Sequence, residues 1–525
     1  MEHKIKAAMQ LFTDGRYYRF RLFLEGIAIG IFAGLVVAAF RYALELTEIW
    51  RPRLMAYLAA ECPAGFAAWF ALLFGLAFVL AKIVELEPLS TGSGIPQIKG
   101  ILIGRMHMCW LRVLVLKFIG AVLGIGVGLS LGREGPSVQL GACVGQGLSR
   151  LRHRPASEER FLLTAGSGAG LAAAFNAPLA GVIFCLEEIY KNVSPHVLTA
   201  AIGATVTATA VTGVVFSLDP VFHVGVLELI PLGPMYLLLI GLGLFVGCLG
   251  RIFNPLLLAS MDWYGSLPLR GWQKLLLPLL SAGVLTFLLP DVLGGGSFLV
   301  DRLVAQTDYA LLALVLLFAV KLGFTLLCFG SGTPGGIFLP MLVLGAVSGA
   351  IYAKLLLICG LLTPEWVPQF VVFGMAAYFA VVVKSPVTGS VLIMEMTGAF
   401  GHMLALIIVA MSAYLVSDLS RGEPVYEELL ARSLRLQKKI SSLVSSSRVL
   451  LELMVGEGSS LAYKYVKEVI WPGHAFLLNV RRGSEELTPA AEMKLLPGDC
   501  LYVLVDEPQL EEMNRLAEEK SRLQK

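Results

Sequence analysis

An arginine and a glutamate in the middle of an apolar stretch give the first chemical signal. Arg133 and Glu134 stand side by side between Gly132 and Gly135, and Pro136 follows. The run before them, Leu111 to Leu131, is long enough to approach a membrane midplane and holds Lys117 among Gly120, Gly124, Gly126 and Gly128. Proline suits the first helical turn, where its missing N–H is not needed, and Val138 to Leu148 has a helical pattern. Gly132 to Pro136 therefore reads as a break inside the membrane with a new helix at its end. Such a start offers free N–H groups and a partial positive charge, and anions bind there. Glu134 carries its own carboxylate to that spot. It could occupy an anion site itself and leave it when protonated. The plainer alternative is a loop ion pair between Arg133 and Glu134 at the membrane surface, although ionisable residues at membrane depth are usually functional.

Two further segments hold polar groups at breaks. Gly92-Ser93-Gly94 lies between Pro88 and Pro96 and cannot continue a helix. Inside a membrane such backbone is tolerated only where it is buried or lines a cavity, and Ser93 can donate its hydroxyl. The alternative is an ordinary surface turn. The stretch Asn176-Ala177-Pro178-Leu179-Ala180-Gly181 runs on to two adjacent carboxylates, Glu187 and Glu188. A helix reaching the membrane interface explains Glu187 well.

The elements that must position these groups are membrane helices. Of 525 residues 57% are hydrophobic and 15% charged, against about 25% charged in soluble proteins. The chain is thus an all-α polytopic membrane protein, rich in the glycine that lets helices pack closely in lipid. A net charge of +3 without a basic cluster excludes a nucleic-acid partner. Eight scattered cysteines without C-x-x-C read as buried small residues, and seven histidines without ligand spacing suggest no metal and no cofactor. Lys4, Lys6, Arg16, Arg19 and Arg21 precede a long apolar helix, which favours a cytoplasmic N-terminus.

In order, residues 1–20 are a polar segment. The first membrane helix runs from Phe23 to Leu44, with Arg41 facing protein or snorkelling. Helical stretches follow at 64–84, 161–175, 177–191 and 195–217. In the second half they lie at about 232–258, 274–290, 308–329, 337–359, 366–383, 386–399 and 403–417. Several are too short to span about 30 Å alone, as in transporters built from broken helices. The segment from Gly330 to Pro340 is a second glycine-rich break. It exposes an internal repeat: Pro136, Leu140, Gly141, Ala142 and Gly145 match Pro340, Leu344, Gly345, Ala346 and Gly349 in spacing. Pro178, Gly181 and Glu187 likewise match Pro386, Gly389 and Glu395. In an inverted repeat the two helix starts would face each other at the midplane and share one site. The boundaries are two halves at about 21–218 and 230–440 within a membrane domain of 21–440, then a serine-rich linker at 441–447. The soluble domain at 448–525 has a strand at 448–455, a helix at 459–468, strands at 475–481 and 499–505, and a closing helix at 507–522.

Gly92-Ser93-Gly94-Ile95-Pro96, Gly132-Arg133-Glu134-Gly135-Pro136, Gly336-Ile337-Phe338-Leu339-Pro340 and a late Tyr426, in this order, closely resemble the CLC family of chloride channels and chloride/proton exchangers. The resemblance covers roughly residues 20 to 440. It implies an inverted repeat of broken, tilted helices, a homodimer, and one anion path per subunit. It also implies chloride held by the Ser93 and Tyr426 hydroxyls and the N–H groups of Ile337 and Phe338, with Gly92, Gly94, Arg133, Gly135, Gly336 and Lys117 in support. Glu134 matches the external gate and proton acceptor, and Glu188 the internal proton acceptor of the exchanger branch. Lys99 departs from the pattern, because close exchanger relatives carry an acidic residue there; this puts a local pairing in question. The tail is unlike the paired CBS domains of many eukaryotic members. It resembles a TrkA C-terminal domain through Leu496-Pro497-Gly498-Asp499 before a strand, which implies a regulatory module for a small cytosolic ligand.

Gly128-Leu129-Ser130-Leu131-Gly132 fits a hydrolase pattern but lacks the strand–elbow–helix context, so the expectation is no enzyme. What remains is a chloride/proton antiporter in a prokaryotic inner membrane, with both termini cytoplasmic. The alternatives are a passive voltage- or pH-gated chloride channel and an exchanger for nitrate or fluoride.

Overall fold

A computed structural model describes residues 2–60, 63–225, 227–231, 233–306, 308–441, 448–456, 459–471, 475–482 and 485–506. The first half contains α1 (Glu2–Ala60), α2 (Pro63–Leu86), α3 (Ile95–Leu102), α4 (Trp110–Gly126), α5 (Glu134–Leu151), α6 (Ala156–Phe175), α7 (Pro178–Phe184) and α8 (Pro195–Phe216). The second contains α9 (Met235–Arg251), α10 (Phe253–Ser266), α11 (Gly271–Leu288), α12 (Ser297–Ala305), α13 (Leu311–Gly330), α14 (Phe338–Ile358), α15 (Val367–Val383), α16 (Pro386–Thr397), α17 (Met403–Leu419) and α18 (Val425–Ser441). Among the described residues nine helical stretches are long and apolar enough to cross a membrane.

The first helix is longer than the polar lead-in suggested, because α1 is continuous from Glu2. Arg41 on it faces protein. It donates to the Ala173 carbonyl at 2.9 Å and to Asn176 Oδ1 at 3.1 Å. The cysteines divide: Cys143, Cys185, Cys328 and Cys500 are buried, but Cys109, Cys248 and Cys359 are exposed.

The repeat extends beyond the motifs that revealed it. The helices from α3 to α8 correspond in order to those from α12 to α17. Both α6 and α15 end on a left-handed residue, Asn176 at φ 55° and Lys384 at φ 63°. The Gly92–Gly94 loop has its counterpart in Gly294–Gly296, with φ of 58° and 90° in one and 58° and 91° in the other. The central pairs α5–α6 and α14–α15 approach through glycine. A Cβ on Gly141 would lie 2.1 Å from the Gly166 carbonyl oxygen, and one on Gly345 would lie 2.5 Å from that of Gly374. Small residues permit such contact, and van der Waals packing then holds helices that lipid alone would not drive together.

The halves meet at their breaks. The Gly132 N–H donates to the Gly336 carbonyl at 2.7 Å, and the Gly336 N–H returns a bond to the Gly132 carbonyl at 2.8 Å. This two-way bridge gives both irregular segments backbone partners that the lipid interior cannot supply. It sets the starts of α5 and α14 beside one another.

The chain divides into compact units at Leu430/Ala431. In the C-terminal unit, β1 (Arg448–Met454), β2 (Phe476–Arg482), β3 (Glu485–Leu487) and β4 (Cys500–Asp506) form an antiparallel sheet in the order β1-β4-β2-β3. Leu453, Val480, Leu501 and Val503 belong to its core. The helix expected at 459–468 is absent: the segment forms turns and a short 3-10 turn at Val466–Glu468. Its backbone is engaged elsewhere. The Tyr463 N–H donates to Leu495, the Leu495 N–H to Lys464, and the Val466 N–H to Met493, at 2.8 to 2.9 Å. Tyr463, at φ 64°, also interrupts any helix. β3 was not foreseen. The linker residues 442–447 and the helix expected at 507–522 lie outside the described residues.

Candidate anion and proton site

Glu134 is the first residue of α5, and its side chain is fully buried. Its Oε2 accepts a hydrogen bond from the Leu339 N–H, 3.2 Å away in the first turn of α14. The acid begins one helix and caps the other. No ion pair joins it to Arg133 among the described residues, so the surface-loop alternative fails. Gly132 leaves the room: a Cβ there would lie 2.1 Å from Glu134 Oε2. Ile337 and Phe338 immediately precede Leu339, at an open helix start where N–H groups lack intrahelical acceptors. The Phe338 ring is fixed between Phe379 and Phe175, with centroids at 4.8 and 5.8 Å.

The loop that carries Ser93 reaches the same place. Ser93 is buried, so this is no surface turn, and its Oγ accepts from the Ile95 N–H at 3.3 Å. A Cβ on Gly135 would stand 2.7 Å from the Ser93 carbonyl oxygen, and one on Gly336 would stand 3.1 Å from the Gly135 nitrogen. Gly94, left-handed at φ 90°, packs on Gln139, whose amide donates to the Leu89 carbonyl at 2.8 Å. Lys117 ties the loop down from α4. Its buried ammonium donates to the carbonyls of Ser90, at 2.9 Å, and Gly92, at 2.5 Å. Lys321 does the same for the counterpart loop, donating to Val292 and Gly294, both at 2.9 Å. Sequence reasoning missed Lys321. Its signal was spacing, because Lys117 precedes Gly132 by the same interval as Lys321 precedes Gly336.

Tyr426, near the start of α18, is fully buried, and its hydroxyl has no protein partner among the described residues. Both Glu134 and Glu188 lie within electrostatic reach of it. Arg133 lies within electrostatic reach of Arg41 and Glu48 of α1.

Glu188 lies in a π-helical turn, Cys185–Ile189, that continues α7. It is buried, so it does not cap a helix at the interface. Lys99 contacts its Oε1, and Ser385 Oγ donates to its Oε2 at 2.8 Å. The unusual lysine of the sequence pattern is therefore its ion-pair partner. Glu187 differs from the interface residue expected. It accepts from the Thr388 N–H and hydroxyl, both at 2.6 Å, and so caps α16. Its repeat-mate Glu395 caps α7, accepting from the N–H groups of Leu179, at 3.1 Å, and Ala180, at 2.8 Å.

Helix starts, hydroxyls and acids converge here without a metal-ligand cluster among the described residues. The arrangement can hold an anion by N–H and O–H donors, and two buried carboxylates flank it. Fold and site define a polytopic membrane protein built as an inverted repeat of broken helices. Residues 73–418 match the voltage gated chloride channel family and residues 450–517 the TrkA-C domain. The chain belongs to the voltage gated chloride channel family. It is 36% identical over 433 residues to the H(+)/Cl(-) exchange transporter ClcA of Vibrio cholerae, covering 79% of this chain and 90% of that one. To the protein of that name from Salmonella arizonae it is 34% identical over 437 residues, covering 79% and 89%. Among solved structures, a slow cyanobacterial Cl−/H+ antiporter superposes with a TM-score of 0.75 at 31% identity, over 80% of this chain and 99% of that one. A eukaryotic CLC transporter shares the fold with a TM-score of 0.66 at 24% identity, over 79% and 74%.

Proposed function

We propose that this protein exchanges chloride for protons across the membrane. The observation that carries this reading is the placement of two buried acids. Glu134 docks on the Leu339 N–H at the α14 start, and Glu188 is buried in the turn after α7. Chloride is held by Ser93 Oγ, the Tyr426 hydroxyl and the N–H groups of Ile337 and Phe338, donors without a full positive charge that would trap it. Glu134 is the external gate and proton acceptor. As a carboxylate it competes with chloride for the helix start; once protonated it loses that attraction and moves aside. Glu188 is the internal acceptor and delivers protons by a route that chloride does not take. A passive channel needs no such inner acid. The relatives named as exchangers support the same reading.

The Glu188 side faces the cytoplasm of a prokaryote. In support, Arg21 of α1 pairs with Glu158 at 2.5 Å, Arg160 lines the same cavity as Lys99, the partner of Glu188, and the sequence before Phe23 is rich in Lys and Arg. Two copies form a homodimer, in which the adjoining helices α7, α8, α16 and α17 offer the apolar side chains Leu179, Val206, Val387 and Leu404. The tail binds a small cytosolic ligand.

The test separates the acids. In proteoliposomes Glu188→Gln abolishes proton movement while chloride still flows, and Glu134→Ala leaves chloride flux uncoupled from protons. Full proton coupling in Glu188→Gln contradicts the assignment.

A further inference from the structure

Lys99 is shared between two acids. Its Nζ contacts Glu188 and also donates to Glu427 Oε1 at 2.9 Å, and the same oxygen meets Lys191 Nζ at 2.7 Å. Side-chain exposure rises along this row, from 1% at Glu188 and 5% at Lys99 to 35% at Glu427 and 45% at Lys191. A cavity of about 460 Å³ opens at its outer end, lined by Lys99, Arg160, Tyr190, Lys191, Asn192 and Glu427 among others. Glu188 is not in its wall. Lys99 and Glu427 thus stand between the buried acid and the cavity.

A buried carboxylate paired with one ammonium resists protonation, because the proton would strand the cation. A shared ammonium removes that obstacle: when Glu188 takes a proton, Lys99 keeps Glu427. Glu427 is suited to remain charged. Burial pushes its carboxyl up, but hydrogen bonds from Lys191 and Lys99 outweigh this and hold it below its ordinary range. The other groups facing Glu188 are Lys191, the Ser385 hydroxyl before α16 and the Tyr426 hydroxyl of α18.

We propose that Lys99 is a positioning residue that sets the proton occupancy of Glu188 by dividing its charge between Glu188 and Glu427 at the mouth of the inner cavity. This rests on Glu188 as the inner proton acceptor. Two substitutions then act in opposite directions. Lys99→Met removes the cation, so the buried carboxyl takes its proton at a pH higher by about one unit or more. Glu427→Gln leaves Lys99 to Glu188 alone, and protonation moves to lower pH. Lys99→Arg keeps the charge and stays near the parent protein.

The experiment follows the infrared carboxylic-acid band that disappears in Glu188→Gln, titrated in the full-length protein in liposomes. The proton-to-chloride ratio is measured against pH on the same preparations. The expected result is an alkaline shift of both in Lys99→Met, an acid shift in Glu427→Gln, and little change in Lys99→Arg. A band that stays in place in Lys99→Met or Glu427→Gln, or shifts the same way in both, overturns the proposal. If Lys99→Met does not fold, the half-exposed Glu427→Gln decides alone. The band reports Glu188 whether or not protons are carried. A parent protein that moves no protons therefore refutes the exchange reading and leaves this test intact.

Discussion

Lys117 and Lys321 show how single residues hold the site in shape. Each buries an ammonium against two carbonyls of a glycine loop, and the lipid interior offers such carbonyls no donor of its own. Lys117→Met strands the Ser90 carbonyl, while the Gly92 carbonyl keeps the Gly335 N–H, and costs about 2 kcal/mol. Because the loop carries Ser93, chloride affinity falls along with the melting temperature; calorimetric chloride titration of the purified protein checks the first and a thermal melt the second. An unchanged affinity would separate Lys117 from the anion. In the proposed exchange site Ser93 supplies one hydroxyl to a partly dehydrated ion, a contact that would be worth about tenfold in preference. Ser93→Pro therefore weakens selection of chloride over nitrate in competitive flux, and an unchanged ratio would remove Ser93 from the anion's surroundings. Lys117 was legible in the sequence as a charge in an apolar run. Its contacts were not, because they are made to backbone carbonyls, which carry no residue identity.

At the scale of elements, the reciprocal caps are the clearest product of the repeat. Glu187 caps α16 and Glu395 caps α7, each a carboxylate on a helix start from the other half. Glu187→Gln and Glu395→Gln each lower stability by about 1 kcal/mol. Both reduce the melting temperature in detergent without changing the proton-to-chloride ratio; a coupling defect in Glu187→Gln would give it a part in proton transfer. Sequence spacing had already paired Glu187 with Glu395, and glycine–proline breaks located the starts of α5 and α14. What spacing could not give is the partner in space. Glu134 begins α5 yet docks on α14, and Lys99, far from Glu188 in sequence, closes on it in space. In the tail, the expected helix at 459–468 failed for the related reason that pairing with 491–495 claims its backbone.

At the scale of the whole molecule, a membrane domain is joined to a separately packed tail. In that tail Asp499 is buried. It accepts from Arg482 Nε at 2.7 Å and Nη2 at 2.8 Å, and from the Leu496 N–H at 2.8 Å. Burial raises its carboxyl, but these bonds outweigh it and hold it below its ordinary value. A lowered folded value means the contribution is complete above the ordinary carboxylate range and is lost as pH falls through the folded one. The tail of the parent protein therefore resists pepsin at about pH 4 and yields on further acidification, whereas Asp499→Asn yields already at about pH 4; equal digestion of both would contradict this. Truncation after Ser447 leaves chloride transport intact and removes any response to a cytosolic ligand. The full-length protein is reconstituted in liposomes with an outward chloride gradient and no proton gradient. If chloride and protons are exchanged, chloride efflux drives protons inward, against the gradient they build. Chloride efflux at full rate with no proton movement would contradict it and make this protein a passive chloride pathway.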